Sequence, residues 1–539
     1  MKPNKGIGAT DGKDFTDGKG KINSQRLHLC NPCNLWLNGF FLIFFYFFIS
    51  GAIAQEPAKT PDTVEALQKR IGEIINHPRY TSAFWGVKIA SLDSGRIIFE
   101  HNAEKLFTPA SNSKLYTMAL ALDRLGPDYR IKTSLYAQSR PDENGALKGD
   151  LIVYGRGDPT ISGEYYDGDV FKALEPLVAA LTNAGVKQIS GDLVGDDSYF
   201  HGAPFGSGWA WSDLESEFGA EISALTINSN TVQLIVKPGE TIGGPAQVTF
   251  SPPTSYFTVI NRVKTVGAKT MGADIHLRHP VGENSVYVSG WMPQGNRATS
   301  EDVTIHNPAG WFMALFKDAL ARHGITVSGN LRTAHWTDRE VDPLDFSKWH
   351  EIGFIQSRPF RDIIRSVEKP SQNLYTDLIL EHIGAREGGA TTSEQSGVHA
   401  LNQFLAHAGI SRTNYYFEEG SGLSRDNLVS PNATVALLTY MSHHKDFGIY
   451  YDALPIAGVD GTLQNRMNKT AAARNVHAKT GTLRWANSMS GYVTSAAGEH
   501  LVFSLMLNRF QDFDRDHSKT QGLDAIAEML AGFKARADK

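Results

Sequence analysis

Along the chain the apolar positions change period several times, and each change marks a predicted element. Leu67, Ile71, Ile74 and Ile75 recur at helical spacing, which predicts a helix over residues 62–76. Trp85 to Ser91 and Arg96 to Glu100 are strand-like runs about the turn Asp93-Ser94-Gly95, so a hairpin follows. Pro109-Ala110-Ser111 then precedes Leu115, Met118, Ala119, Leu122 and Leu125 on one helical face, with a stop at Gly126-Pro127. Ser111 is therefore expected at or near a helix N-terminus, with Lys114 one turn later on the same side.

From about Lys132 to Trp349 the pattern turns to many short strands, among them Leu151–Tyr154, Val232–Val236, Gln247–Phe250, Asp274–Arg278 and Ser285–Ser289. One helix is predicted within them, with Asn307 as cap, Pro308 at the first turn, Trp311, Leu315 and Ala319 on its face, and Gly324 as terminator. Helical periodicity returns after Phe360, in Ile363, Ile364, Leu374, Leu378 and Ile379. Strand runs Val476–Lys479, Asn487–Thr494 and Leu501–Leu507 follow, and a helix through Leu523, Ile526, Ala527 and Leu530 closes the chain. Helices flanking an antiparallel sheet built from both chain ends predict one α+β domain, residues 55–132 and 350–539. A largely β insertion of one or two domains, residues 133–349, interrupts it. There is no internal repeat.

Composition adds a destination. The 539 residues are 41% hydrophobic and 20% charged, enough for two or three domains with sizeable cores. The first 54 residues differ from the rest: a polar head with Lys2, Lys5, Lys13, Lys19, Lys21 and Arg26 leads into the uncharged run Leu35–Ile49, which ends in Ala52-Ile53-Ala54. That is the layout of a secretory signal, residues 1–54, cut after Ala54, and it places the mature protein in the periplasm or otherwise outside the cytoplasm. The alternative is an uncleaved membrane anchor, which would keep the protein peripherally associated with the membrane, although so short an apolar run spans a bilayer poorly. Loss of six basic and three acidic residues moves the formal charge from −5 to −8, which argues against nucleic acid as a partner. The two cysteines, Cys30 and Cys33, leave with the same segment, so no disulfide or thiol chemistry is expected of the mature chain.

Three short strings carry the chemistry: Ser111-Asn112-Ser113-Lys114, Ser371-Gln372-Asn373 and Lys479-Thr480-Gly481-Thr482. S-x-x-K also occurs at Ser366–Lys369 and Ser442–Lys445, and S-x-N at Ser328–Asn330 and Ser430–Asn432, whereas K-T-G occurs once. Context separates them: Ser111 opens a helix, Ser371 falls in a loop between helical stretches, and Lys479 ends a strand run. In that order they form the signature of β-lactamases and penicillin-binding proteins. A serine hydroxyl becomes a useful nucleophile only beside a base, and a lysine serves as base only when burial and neighbouring positive charge lower its pKa. Lys114 is placed to be that base, and Lys479 to be the second cation. Ser371 is suited to relay a proton to the leaving amine, and Asn373 to hold Lys114 and the substrate amide. Lys479 and Thr480 suit a terminal carboxylate, Gly481 leaves room for a substrate strand, and the amides of Ser111 and Thr482 suit an oxyanion hole. No cofactor and no metal enters this scheme.

Longer strings resemble the class C low-molecular-mass penicillin-binding proteins, the D-alanyl-D-alanine carboxypeptidase/endopeptidase family S13. They are Thr108 to Lys114, Gly157 to Thr160, Gly195 to Phe200, Ser223 to Leu225 with Asn228 and Asn230, Lys369 to Asn373, Gly420 to Arg425, and Gly458 to Leu463. The likeness runs over about residues 60–539 in the family's order. It implies a penicillin-binding/β-lactamase-like transpeptidase fold, peptidoglycan stem peptides as substrate and β-lactams as covalent inhibitors. The 260 residues between Ser111 and Ser371 exceed the interval of β-lactamases in this superfamily, and the family fills such a gap with inserted domains. Two departures stand out: Gln372 replaces a frequent Asp, and Phe218-Gly219-Ala220-Glu221 replaces the family's usual Tyr-x-Ala-Pro.

The remaining candidates read as structural. Gly155-Arg156-Gly157 lacks a Walker lysine and reads as a turn; His443-His444 and Glu381-His382 lack metal-ligand spacing; Asp158, Asp196 and Asp197 read as turn and packing residues. Two rivals to a serine carboxypeptidase or endopeptidase follow from the same residues: a β-lactamase or esterase of the superfamily, and a noncatalytic wall-binding scaffold. Preference between the two peptidase activities, the third stem-peptide residue, the role of the insertion and the oligomeric state are left open by the sequence.

Overall fold

The computed structural model describes residues 62–270, 272–510 and 520–537; the expected signal segment, with Cys30 and Cys33, lies outside them. Helix α1 (Val64–Ile75) starts at Thr63, whose hydroxyl accepts from the Ala66 amide at 3.1 Å, and buries the stripe Val64, Leu67, Ile71, Ile75. Strands β1 (Phe84–Ser91) and β2 (Ile97–His101) form the predicted hairpin. After them a 3₁₀ turn, Ala110–Asn112, runs into α2 (Ser113–Leu125). Where the sequence suggested one apolar face, every residue of α2 from Ser113 to Leu122 is buried, so it is a central helix.

The second part of this region brings α3 (Phe360–Glu368), α4 (Asn373–Glu387), strands β3 (His477–Leu483), β4 (Ala486–Thr494) and β5 (His500–Asn508), and α5 (Gln521–Gly532). They complete a five-stranded antiparallel sheet in the order β3-β4-β5-β1-β2. β1 lies against β5 with Trp85 opposite Leu507 and Val87 opposite Leu505, so the two ends of the chain meet at the middle of the sheet. One face is covered by α1 and α5 around Leu67, Ile71, Leu523 and Leu530; the other by the helix Pro431–Ser442, with α2, α3 and α4 packed into the same core around Leu115, Met118, Ile364 and Leu378. Coverage on both faces explains why β4 and β5 are buried almost throughout. β3 continues through Lys479 to Leu483, so Lys479 sits within a strand and not at its end.

Between Lys132 and Gln356 the chain builds a second core. A five-stranded sheet takes the order Leu331–Ala334, Leu193–Asp196, Leu151–Tyr154, Lys132–Ala137, His350–Gln356, and three three-stranded sheets accompany it. The chain enters and leaves through adjacent strands, since His350–Gln356 pairs with Lys132–Ala137. By pairing, His350–Gln356 is part of the inserted sheet, beyond the boundary drawn at residue 350. The insertion is also less purely β than its sequence suggested. Besides Pro308–Arg322 it holds a helix at Val170–Asn183, whose buried Val170, Ala173, Leu174, Leu177, Val178 and Leu181 are helically spaced but interrupted by Pro176. Among the described residues no helix is long and apolar enough to cross a membrane.

Candidate active site

The three motifs meet at the N-terminal end of α2. Ala110 is held at φ 50°, which turns the chain so that Ser111 remains partly exposed while Lys114, one turn on, is completely buried. Lys114 Nζ donates to Ser111 Oγ at 3.0 Å, to Asn373 Oδ1 at 2.7 Å and to the Ser421 carbonyl at 2.6 Å, using all three ammonium protons. Asn373, the first residue of α4, donates through Nδ2 to the Phe218 carbonyl at 2.9 Å. Ser371 lies in the short connection from α3 to α4 at φ 70°, a left-handed conformation unusual for a serine. Its Oγ accepts from Lys479 Nζ at 2.8 Å, and Lys479 donates also to the Thr480 carbonyl at 3.0 Å. The Thr480 hydroxyl is 2.6 Å from that of Thr462, and Thr482 is exposed on the same strand.

Both lysines are thus removed from water among neutral acceptors. Burial pulls Lys114 down to about 8, against the opposing pull of Asp377, Glu419 and Glu368. Burial pulls Lys479 down to about 7, with the charge of Lys114 adding to it and Glu368 opposing. A lysine in this range holds a substantial neutral fraction near neutral pH, which is what a general base requires.

Gly481 leaves no room for a side chain on the side that faces Ser111. A Cβ there would lie 2.6 Å from the Pro109 carbonyl and 2.3 Å from Ser488 Oγ. The missing side chain admits the turn that carries Ser111, and so brings β3 beside it.

Several residues of the site were not singled out by sequence. Glu419 accepts from the Ser421 amide at 2.8 Å, the Gly422 amide at 2.7 Å and Asn427 Nδ2 at 2.7 Å, and also from the Ser421 hydroxyl. It thereby fixes the loop whose carbonyl faces Lys114. Gly422, at φ 84°, packs so closely that a Cβ would lie 1.9 Å from the Ala110 carbonyl. A second loop braces Ser371: Asp460 pairs with Lys369 at 2.8 Å, the Thr462 amide donates to the Lys369 carbonyl at 3.1 Å, and a Cβ on Gly461 would lie 2.6 Å from that oxygen. The strings Gly420–Arg425 and Gly458–Leu463 were the available signal, and their role was visible only once folded.

The residues read as structural have structural partners. Gly155 packs on the Ala224 carbonyl; Asp158 accepts from Thr160; Asp196 pairs with Arg339; Asp197 holds His335 and Ser223. His382 bridges the Arg156 carbonyl and the Tyr129 hydroxyl, and His443 Nδ1 lies 2.9 Å from the Thr439 carbonyl. Among the described residues no group of three or more His, Cys, Asp or Glu is placed to hold a metal ion.

Comparison with known proteins identifies the family. Residues 67–530 match the model of the D-Ala-D-Ala carboxypeptidase 3 (S13) family. The D-alanyl-D-alanine carboxypeptidase of Actinomadura sp. is 32% identical over 485 residues, 87% of this chain and 85% of that one. The D-alanyl-D-alanine carboxypeptidase DacB of Haemophilus influenzae is 28% identical over 80% of this chain and 86% of its own length. The crystal structure of penicillin binding protein 4 (dacB) from Haemophilus influenzae superposes with a TM-score of 0.73 at 25% identity, covering 85% of this chain and 98% of that one. With its three motifs gathered on one penicillin-binding-type scaffold and its relatives matched along most of their length, the chain belongs to the D-Ala-D-Ala carboxypeptidase 3 (S13) family of peptidases.

Proposed function

We propose that the protein cleaves the D-Ala-D-Ala bond, or D-Ala cross-links, of peptidoglycan stem peptides outside the cytoplasm, with Ser111 as nucleophile and Lys114 as its base. The observation that carries this reading is the position of the buried Lys114 Nζ, 3.0 Å from Ser111 Oγ and 2.7 Å from Asn373 Oδ1.

In its neutral form Lys114 takes the proton of Ser111 as Oγ attacks the carbonyl carbon of the penultimate D-Ala. The oxyanion rests on the amides of Ser111 and Thr482, a donor of this kind being worth about 3 kcal/mol. The carbon–nitrogen bond then breaks, the leaving amine takes a proton through Ser371, and an ester remains on Ser111. Water hydrolyses that ester with Lys114 again as base, and the free carboxylate departs. Lys479 and Thr480 hold the terminal carboxylate, and Asn373 orients Lys114 and the substrate amide. A β-lactam acylates the same serine, but its ring-opened amine stays attached, so the ester is trapped. The similar Haemophilus protein is named for binding penicillin, which agrees with this expectation. The long insertion separates this reading from that of a β-lactamase.

Residues 1–54 fit this setting as an export signal, and the region between Lys132 and Gln356 as the inserted part of a discontinuous catalytic domain. The purified protein should bind a fluorescent penicillin covalently, and Ser111→Ala should abolish the label. Labelling that survives the substitution, or rapid turnover of the penicillin, would overturn the assignment. Digestion of purified muropeptides, read by mass, distinguishes release of terminal D-Ala from cleavage of cross-links.

A further inference from the structure

Glu368 is the last residue of α3, three positions before Ser371. Its side chain is completely buried, and neither carboxyl oxygen has a hydrogen-bond partner among the described residues. The other carboxyls around Lys114 are held differently. Glu419 accepts from two amides and two side chains, and Asp377 Oδ1 accepts from the Gly420 amide at 3.2 Å. A buried carboxylate without donors is costly unless cations face it or a proton neutralises it.

Two cations do face it. Lys479, from β3, and Lys114, from α2, both act on Glu368, and both lysines otherwise meet only neutral hydrogen-bond acceptors. From the helix Phe447–Ala453, Tyr450 also feels Glu368, with its hydroxyl donating to the Leu115 carbonyl at 3.0 Å. Asp377 and Glu419 complete the charged groups around Lys114.

Resting on the roles assigned to Ser111 and Lys114 above, we propose that Glu368 is a positioning residue whose buried, unpaired carboxyl sets the charge of the Lys114–Lys479 pair through space. When Glu368 is ionised, both lysines are held as ammonium ions and the site is ready for a substrate carboxylate. When Glu368 gains a proton and Lys114 loses one, an ammonium and a carboxylate become an amine and a carboxylic acid, with no net change of charge or atoms. Lys114 is then free to accept the Ser111 proton. Burial raises Glu368 to about 7, so the three groups titrate in overlapping ranges and behave as one unit.

The test is the pH profile of acylation of the full chain by a fluorescent penicillin, in the wild type, E368Q and E368D. Removing the carboxylate charge leaves both lysines easier to deprotonate. Both limbs of the E368Q profile should therefore move to lower pH by about one unit or more, with a smaller displacement for E368D. A purely structural role would lower the plateau without moving either limb, and an E368Q profile that overlays the wild type after scaling overturns the proposal. Should E368Q fail to fold, E368D decides, because an altered distance to the lysines must move the limbs and an unmoved profile overturns the proposal equally. A wild type that is never labelled at Ser111 overturns the catalytic assignment itself, and Glu368 with it.

Discussion

Gly481 faces Ser111 so closely that a Cβ on the glycine would lie 2.9 Å from the Ser111 amide nitrogen. The contact joins the strand carrying Lys479 to the turn carrying Ser111, and neither the Pro109 carbonyl nor that amide is the movable end of a flexible side chain. Gly481→Ala must therefore push the two segments apart. Displacements of about 1 Å at a reacting centre cost on the order of 100-fold in rate. The expected result is a loss of that size in penicillin acylation with the far-ultraviolet circular dichroism unchanged.

The depressed lysines predict a bell-shaped pH profile. Rising pH removes the proton from Lys114, whose pKa is lowered to about 8 by burial, and so increases the fraction of active base. Rising pH also discharges Lys479, lowered to about 7, which weakens its hold on a carboxylate. Steady-state assays with a D-Ala-D-Ala peptide should show kcat rising with pH while KM rises too, so that kcat/KM passes through a maximum.

Glu419 should matter for stability as well as for the site. Its carboxyl is buried and satisfies two amides, the Ser421 hydroxyl and Asn427 Nδ2, so Glu419→Ala strands several buried donors. A stranded buried donor typically costs about 1–3 kcal/mol. A lowered Tm in thermal unfolding is expected, together with slower acylation, because the Ser421 carbonyl would lose its support.

Asp460→Ala separates activity from stability. Its pair with Lys369 is partly exposed, at 19% and 38% side-chain accessibility, and pairs of that kind contribute about 1 kcal/mol or less. The pair nevertheless braces the connection in which Ser371 is held at φ 70°. Little change in Tm and a clear fall in kcat are expected.

What was legible in the sequence had a local cause. Ser111 and Lys114 were distinguishable from Ser366–Lys369 and Ser442–Lys445 because a proline-alanine entry and a helical apolar pattern follow from neighbouring residues alone. The hairpin at Asp93–Gly95 and the helix capped by Asn307 were legible for the same reason. The helix Val170–Asn183 was hidden by Pro176, which sits inside an otherwise regular stripe. Glu368 was hidden more thoroughly, since an acidic residue at a helix end reads as solvated and its helix is packed by α2 and Phe447–Ala453, both distant in the chain. Glu419 and Phe218 likewise reach the site only through the loops that deliver them.

The meeting of β1 and β5 at the centre of the sheet has a consequence for how the enzyme comes into being. Phe84–Ser91 is made early, and its partner His500–Asn508 only near the end of synthesis. Until that partner arrives, β1 has one unpaired edge and Ser111 has no Lys479 strand beside it. Pairing over so large a separation is slow, and the exposed edge invites wrong partners in the meantime. The arrangement makes hydrolytic competence the last property the chain acquires: a polypeptide cut short before residue 500 carries every motif residue and still lacks the strand that joins them.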